Sequence, residues 1–214
     1  MSIARLRQAN VFHTQRHMNT KQLQELLLQS LEHERGGVKI YRVAIQCALQ
    51  PELQREWARF LEQTERHVQI LTDTCTKIGI DAGVRTPGCH IVRENSIALV
   101  RAMEMALAAG DPQAAEIVAC EVIVLAETKD HADWELIGAA ARAAEGATAE
   151  ALHAAYDLVE AEEDEHLYHG KGWYRELWLA SLGLEAQLPP PEEAQNASNA
   201  LAAVRIEQTR MGQC

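Results

Sequence analysis

Glu163-Asp164-Glu165-His166 contains a Glu-x-x-His, which on a helix places a carboxylate and an imidazole on one face, one turn apart. Helical bundles that hold paired metal ions use this device, with single Glu residues projecting from the neighbouring helices. The spacing alone is not specific. Glu150-x-x-His153 repeats it on a different side of the same helix, and with 9 His in the chain about one such match arises by chance. What distinguishes Glu163/His166 is its company. Glu34 is followed seven residues later by Tyr41, and Glu127 seven residues later by Trp134. Each of these Glu residues is the only carboxylate at the heart of an apolar helical stripe.

Working outward, the apolar residues recur at steps of three and four over four long segments, and no stretch alternates as a strand would. The first helix starts at Asn19 or Thr20, both good caps, and runs to about Leu49, with Leu27, Leu31, Glu34, Val38, Tyr41 and Ile45 inward. Pro51 suits the first turn of the second helix, which runs to about Ile78 and turns Leu53, Trp57, Phe60, Thr64, His67 and Leu71 inward. Residues 79–94 hold Gly79, Gly83, Pro87 and Gly88 and read as a connection, followed by a short helix from Ser96 to Ala109. Asp111-Pro112 caps and opens the third long helix, which runs to about Ala144. Its inward face reads Ile117, Cys120, Ile123 or Val124, Glu127, Asp130 or His131, and Trp134. The fourth covers about 149–183 and stops at Gly183. The expected fold is therefore all-α: two helical hairpins joined by a long crossover. Residues 1–18 form an N-terminal arm, 19–184 the bundle, and 185–214 a Pro-rich exit and tail.

Composition narrows the function. The 214 residues suffice for one substantial core. A net charge of −11 disfavours nucleic acid and anionic membrane surfaces as partners. The apolar run Ile117 to Ala126 is too short to span a bilayer and is broken by Glu121. Met1 to Met18 lacks the apolar stretch of a secretory signal, and none of the five Cys forms a C-x-x-C pair. A cytoplasmic protein with free thiols is expected, Cys47 and Cys120 serving as small core residues.

Glu34 and Glu127 take equivalent places in the first helices of the two hairpins, and His67 and His166 in the second. Over about Asn19 to Gly183 this weak repeat resembles the ferritin-like superfamily, which includes rubrerythrins and bacterioferritins. The resemblance implies a four-helix bundle whose metal ligands are Glu34, His67, Glu127, Glu163 and His166. It also implies one or two iron or manganese ions reacting with a small oxidant, oxygen or peroxide, in ferroxidase, peroxidase-like or oxygenase chemistry. The aromatic residues Tyr41 and Trp134 match the family's habit. One position departs: three residues before His67 stands Thr64 where the family has Glu. Glu62 and Glu65 lie about 100° or more away around the helix. Asp130, His131 or Glu160 could replace the lost carboxylate.

Bland readings compete. A lone His on an apolar face is commonly a satisfied core residue, and most of the acidic run Glu160 to Glu165 suits a solvated face. The set as a whole favours a cation, because several unpaired carboxylates and imidazoles are costly to bury without one. The competing class is a bundle that kept its fold, lost its chemistry and serves as a structural or interaction protein. Gly36-Gly37 inside the first helix leaves room either for a small ligand beside a metal or for close helix packing. His33, His153 and His169 suit the surface or the site's periphery. Trp173, Leu177, Trp178 and Leu182 exceed what one bundle face buries, so a homo-oligomer, most simply a dimer, is expected.

Overall fold

The computed structural model describes residues 18–185, and those residues form five helices and no strand. They are α1 (Thr20–Cys47), α2 (Pro51–Lys77), α3 (Pro87–Ala108), α4 (Pro112–Ala143) and α5 (Gly146–Ser181). The arm at 1–18 and the exit and tail at 185–214 fall, but for Met18 and Glu185, outside the described residues. No described helix is long and apolar enough to cross a membrane. The chain divides within α5 into two compact units, Met1–Lys171 and Gly172–Cys214. In the second unit, α5 ends in a Schellman turn, Leu184 N–H bonding Leu179 O at 2.9 Å across Gly183 at φ 70°.

The first unit is built by capping and burial. Asn19 Oδ1 accepts from the amides of Lys21 and Gln22, and Asp111 Oδ1 from those of Gln113 and Ala114. Four helices share one core: Leu27 and Leu31 of α1 meet Leu71 of α2, Trp134 and Ile137 of α4, and Leu152 and Val159 of α5. The chain between α1 and α2 is anchored by buried Glu116 of α4, whose Oε1 accepts from the amides of Leu49 and Gln50 at 2.8 and 3.0 Å.

The crossover differs from expectation. Its helix begins at Pro87 and is 22 residues long, not a short element from Ser96. Thr86 caps it, its hydroxyl accepting from Cys89 N–H, with Pro87 at the first position. That is the same cap-plus-proline signal as Asp111-Pro112, obscured by the neighbouring glycines. The helix tolerates Gly88 because a Cβ there would lie 2.2 Å from Gln29 Nε2 and 2.3 Å from Glu25 Oε1 of α1. Likewise α5 starts at Gly146, three residues before the expected point.

Because α3 packs along α1, more of α1 is covered than one stripe. Ile40 and Ala44 are fully buried, whereas Val38 and Ile45 are only half-buried. His33 is buried rather than at the surface, its Nε2 lying 3.0 Å from Ala126 O. Gly36 marks the closest approach, since a Cβ there would sit 2.1 Å from Ser96 Oγ and 2.6 Å from Ser96 Cβ. Ser96 Oγ donates to Val92 O on its own helix, and its Cβ cannot swing away. Ala is the better helix former by about 1 kcal/mol, yet overpacking typically costs about 1–3 kcal/mol. Gly36→Ala should therefore lower the thermal midpoint, and adding Ser96→Gly should recover part of the loss; a midpoint that rises in the single variant would contradict this packing.

Candidate metal centre

The apolar stripes of α1, α2, α4 and α5 each break at one level of the bundle, and there the polar side chains converge. Glu34, His67, Glu127, Glu163 and His166 are all nearly or fully buried. They form two overlapping triads, Glu34–His67–Glu163 and Glu127–Glu163–His166, whose ligating atoms lie within 4.8 Å of one another. Glu163 belongs to both. His67 Nδ1 stands 2.9 Å from Glu163 Oε1 and 3.6 Å from Glu34 Oε1. His166 Nδ1 stands 3.5 Å from both Glu127 Oε2 and Glu163 Oε1. The two imidazoles lie 5.8 Å apart, stacked with planes 29° from parallel.

Four of these five side chains are held from behind. Trp134 Nε1–H donates to Glu34 Oε1 at 3.0 Å, and the Tyr41 hydroxyl donates to Glu127 Oε1 at 2.8 Å. These are the aromatic residues seven positions after each single Glu, but the pairing crosses: Tyr41 follows Glu34 and serves Glu127, while Trp134 follows Glu127 and serves Glu34. His67 Nε2 lies 2.8 Å from Glu162 Oε2, and His166 Nε2 lies 3.1 Å from Gln63 Oε1. With Nε2–H committed to those acceptors, each Nδ1 faces inward, the arrangement by which outer hydrogen bonds orient metal-ligating histidines.

The inward atoms remain unsatisfied. Glu34 Oε2, Glu127 Oε2, both oxygens of Glu163, His67 Nδ1 and His166 Nδ1 are buried without an aligned hydrogen bond. Buried polar groups are rarely left so, and a cluster of them around one point calls for an ion or a proton. In the metal-free protein, protons fill that role. Burial disfavours the His67 imidazolium, but the carboxylates of Glu163 and Glu34 outweigh it and push its pKa up to about 11. Burial raises Glu163 to about 7, opposed by His67 and reinforced by Glu127 and Glu34. Glu127 lies below the usual carboxylate range because His166 overcomes its burial.

The sequence-level alternatives at the missing carboxylate resolve clearly. Thr64 is buried and donates its hydroxyl to Phe60 O at 2.9 Å, along its own helix. Glu62 and Glu65 are exposed, and Glu65 pairs with Arg42 on the surface. His131 points away from the cluster and meets Asp164 at 2.8 Å. Glu160 is exposed. Asp130 alone is buried, with an unpartnered Oδ1, and burial together with Glu163, Glu34 and Glu127 holds its carboxyl well above the usual range. It belongs to neither triad. Gly37 faces α2, where a Cβ would meet Thr64 Cγ2 at 3.2 Å, and so serves close packing beside the centre. His153 and His169 are exposed, and His169 pairs with Glu56. Sequence reasoning missed Gln63 and Glu162. Glu162 was legible only as part of an acidic run, and Gln63 carried no signal.

A cleft of about 260 Å³ leads from the surface between α4 and α5 to Glu163, with Trp134, Tyr156 and Tyr168 among its walls. Comparison with known proteins finds no matching family model, no matching curated protein and no matching solved structure. What this chain can do is carried by its own side chains.

Buried Glu and His groups here can hold a metal ion, and the positions that would hold it are the ones that hold protons in its absence. Metal and proton therefore compete for His67 Nδ1 and Glu163. Below about pH 7 Glu163 is protonated, so affinity should fall as pH drops through that value and rise above it. At pH 7 binding should expel at least one proton, because His67 titrates at about 11. Calorimetric titration with Mn²⁺ in two buffers of different ionisation heat measures that release; no buffer dependence would refute the competition.

Proposed function

We propose that this chain is a ferritin-like metalloprotein that binds one or two iron or manganese ions among α1, α2, α4 and α5 and uses them in redox chemistry with oxygen or peroxide. The observation that carries the proposal is the pair of triads sharing Glu163, six of whose inward atoms lack an aligned hydrogen bond. Oxygen-rich donor sets completed by imidazole suit iron and manganese, and no cysteine enters either triad. Counting Asp130, four buried carboxylates face two imidazoles. Two divalent cations would neutralise four carboxylates, which is the electrostatic case for a pair rather than a single ion.

A bound iron or manganese ion would supply the electron transfer to the oxidant. The chain's own groups would hold it: Glu163 between the two positions, Glu34 and His67 on one side, Glu127 and His166 on the other. Trp134 and Tyr41 each fix one oxygen of Glu34 and Glu127, and the other oxygen of each is left without a hydrogen-bond partner and free for a cation. Buried Phe60, its ring 4.2 Å from that of His166, and buried Trp134 help exclude bulk water. The cleft to Glu163 would admit a small oxidant or an incoming cation.

Thr64 supports the second reading, a bundle that retained its shape with a degenerate site and acts through interactions. Its hydroxyl is satisfied within α2 and offers the centre nothing. Self-association is proposed with either reading; exposed Leu125 and Leu136 on α4 and Leu158 on α5 supply apolar surface for it.

Metal content separates the two. Protein purified from cells supplied with iron and manganese should carry one or both metals, and anomalous scattering should place the peak beside Glu163 and His166. No metal under those conditions would favour the structural reading. Glu163→Gln should abolish the bound metal and, by removing the carboxylate that holds the His67 proton, lower the pKa of His67 from about 11. Gln63→Leu should keep the fold and weaken metal affinity about 10–100-fold, the usual cost of losing a ligand's hydrogen-bond partner. Thr64→Glu should increase metal content if the carboxylate missing from α2 limits occupancy.

A further inference from the structure

We propose that the cleft between α1, α2 and the start of α3 is a binding site for a small organic phosphate, independent of the metal centre. The cleft has a volume of about 530 Å³, within the range of small-molecule sites, and none of its lining residues belongs to either triad. In a chain of net charge −11, its walls carry five cations, Arg35, Lys39, Arg42, Arg85 and Arg93, against two carboxylates, Glu32 and Glu65. That local reversal of sign is the feature to be explained.

Internal pairing accounts for only part of it. Three guanidinium groups gather around one buried carboxylate, Glu32. Arg93 Nε alone hydrogen-bonds it, at 2.7 Å, while Arg35 and Arg85 approach only to 3.6 and 3.5 Å. Glu32 Oε2 has no hydrogen-bond partner despite these neighbours. One carboxylate neutralises one guanidinium, so positive charge is left over, and the side chains of Arg35, Arg85 and Arg93 are each about two-thirds buried. Arg85 is further fixed by donating to the carbonyls of Ala82 and Val84 at 3.1 Å. Lys39, one turn beyond Arg35 on α1, has no hydrogen bond or ion pair among the described residues. Arg42 on the rim is occupied by Glu65 at 2.7 Å.

The arrangement suits a phosphoryl group in particular. The cations come from three elements, α1, the 79–86 connection and α3, and one guanidinium from each approaches the Glu32 carboxylate. A tetrahedral dianion with oxygens in several directions satisfies such a set better than a planar carboxylate does. Val38 and Val68 also line the cleft and provide an apolar wall for the organic part of the ligand. Partial burial of the guanidinium groups strengthens their attraction for an anion relative to fully solvated cations.

Calorimetric titration of the full-length protein with phenyl phosphate at low ionic strength tests the assignment. Saturable one-to-one binding is expected, weakening with added salt. Inorganic phosphate should bind more weakly for want of the apolar contact, and benzyl alcohol should not bind. Each of Lys39→Ala and Arg85→Ala should weaken phenyl phosphate binding about tenfold or more, the worth of a hydrogen bond to a charged group. Arg101→Ala, on an exposed part of α3 outside the cleft, should leave it unchanged. Lys39 is exposed, so its replacement tests the site even if Arg85→Ala disturbs the 79–86 connection. Absence of saturable binding, equal weakening by Arg101→Ala, or phthalate binding as tightly as phenyl phosphate would overturn the proposal. Metal content plays no part in any of these readouts, so failure here and failure of the metal centre remain separate results.

Discussion

Everything in the first unit is arranged around an electrostatic problem: Glu34, Glu127, Asp130 and Glu163 are buried together with too few partners for their oxygens. Apolar residues of similar volume would pack the same space at lower cost, since burying carboxylates without full compensation is expensive. The helices nevertheless spend specific residues on holding this cluster in place. Trp134 and Tyr41 each commit a buried donor to it, and Glu162 and Gln63 orient the two imidazoles. A core built only for stability would not need those residues, which is why the cluster is best understood as a site.

The charge pattern outside the cluster follows from the need to hold α2 and α5 in register. Arg59 donates two hydrogen bonds to Glu165, both at 2.8 Å, and Arg66 reaches Glu162 at 2.8 Å. Exposed pairs of this kind add little stability singly. Their value here is positional. Glu162 is shared between Arg66 on the surface and His67 in the interior, so a surface ion pair helps to fix the imidazole. The acidic run Glu160 to Glu165 thus divides by helical phase: Glu163 enters the centre, Glu162 and Glu165 bind α2 at its margin, and Glu160 faces solvent.

This division shows what the sequence could and could not reveal. Helical spacing was enough to find four long helices and to turn Glu34, His67 and Glu127 inward, because three- and four-residue steps map directly onto a face; that they meet Glu163 and His166 at one level was implied by the resemblance alone. The same spacing could not separate Asp130 from His131, or decide that Glu160 is solvated, because one residue of phase error moves a side chain by about 100°. Contacts between helices were further out of reach. The crossing of Tyr41 to Glu127 and Trp134 to Glu34 depends on how α1 and α4 face each other, which no single helix encodes. The early start of α3 was encoded in Thr86-Pro87 but masked by Gly83 and Gly88.

Thr64 shapes the centre most by what it withholds. Its hydroxyl bonds Phe60 O and its methyl would sit 3.2 Å from a Cβ at position 37, so α2 and α1 close tightly at this point and α2 offers the cluster no carboxylate there. On that side Glu34 Oε2 and His67 Nδ1 stay without an aligned hydrogen bond. Asp130, one turn beyond Glu127 on α4, adds a fourth buried carboxyl group that feels Glu34, Glu127 and Glu163. Two carboxylates on α4 and none projecting inward from α2 make the proposed centre asymmetric. Carboxyl groups are concentrated on the α4–α5 side, where the cleft reaches Glu163. A cation arriving there would meet the carboxylates of that hairpin before the imidazole of α2. In the proposed centre an incoming cation would therefore meet Glu163 first, the one carboxylate of the two triads that lines the cleft and the one that both triads share.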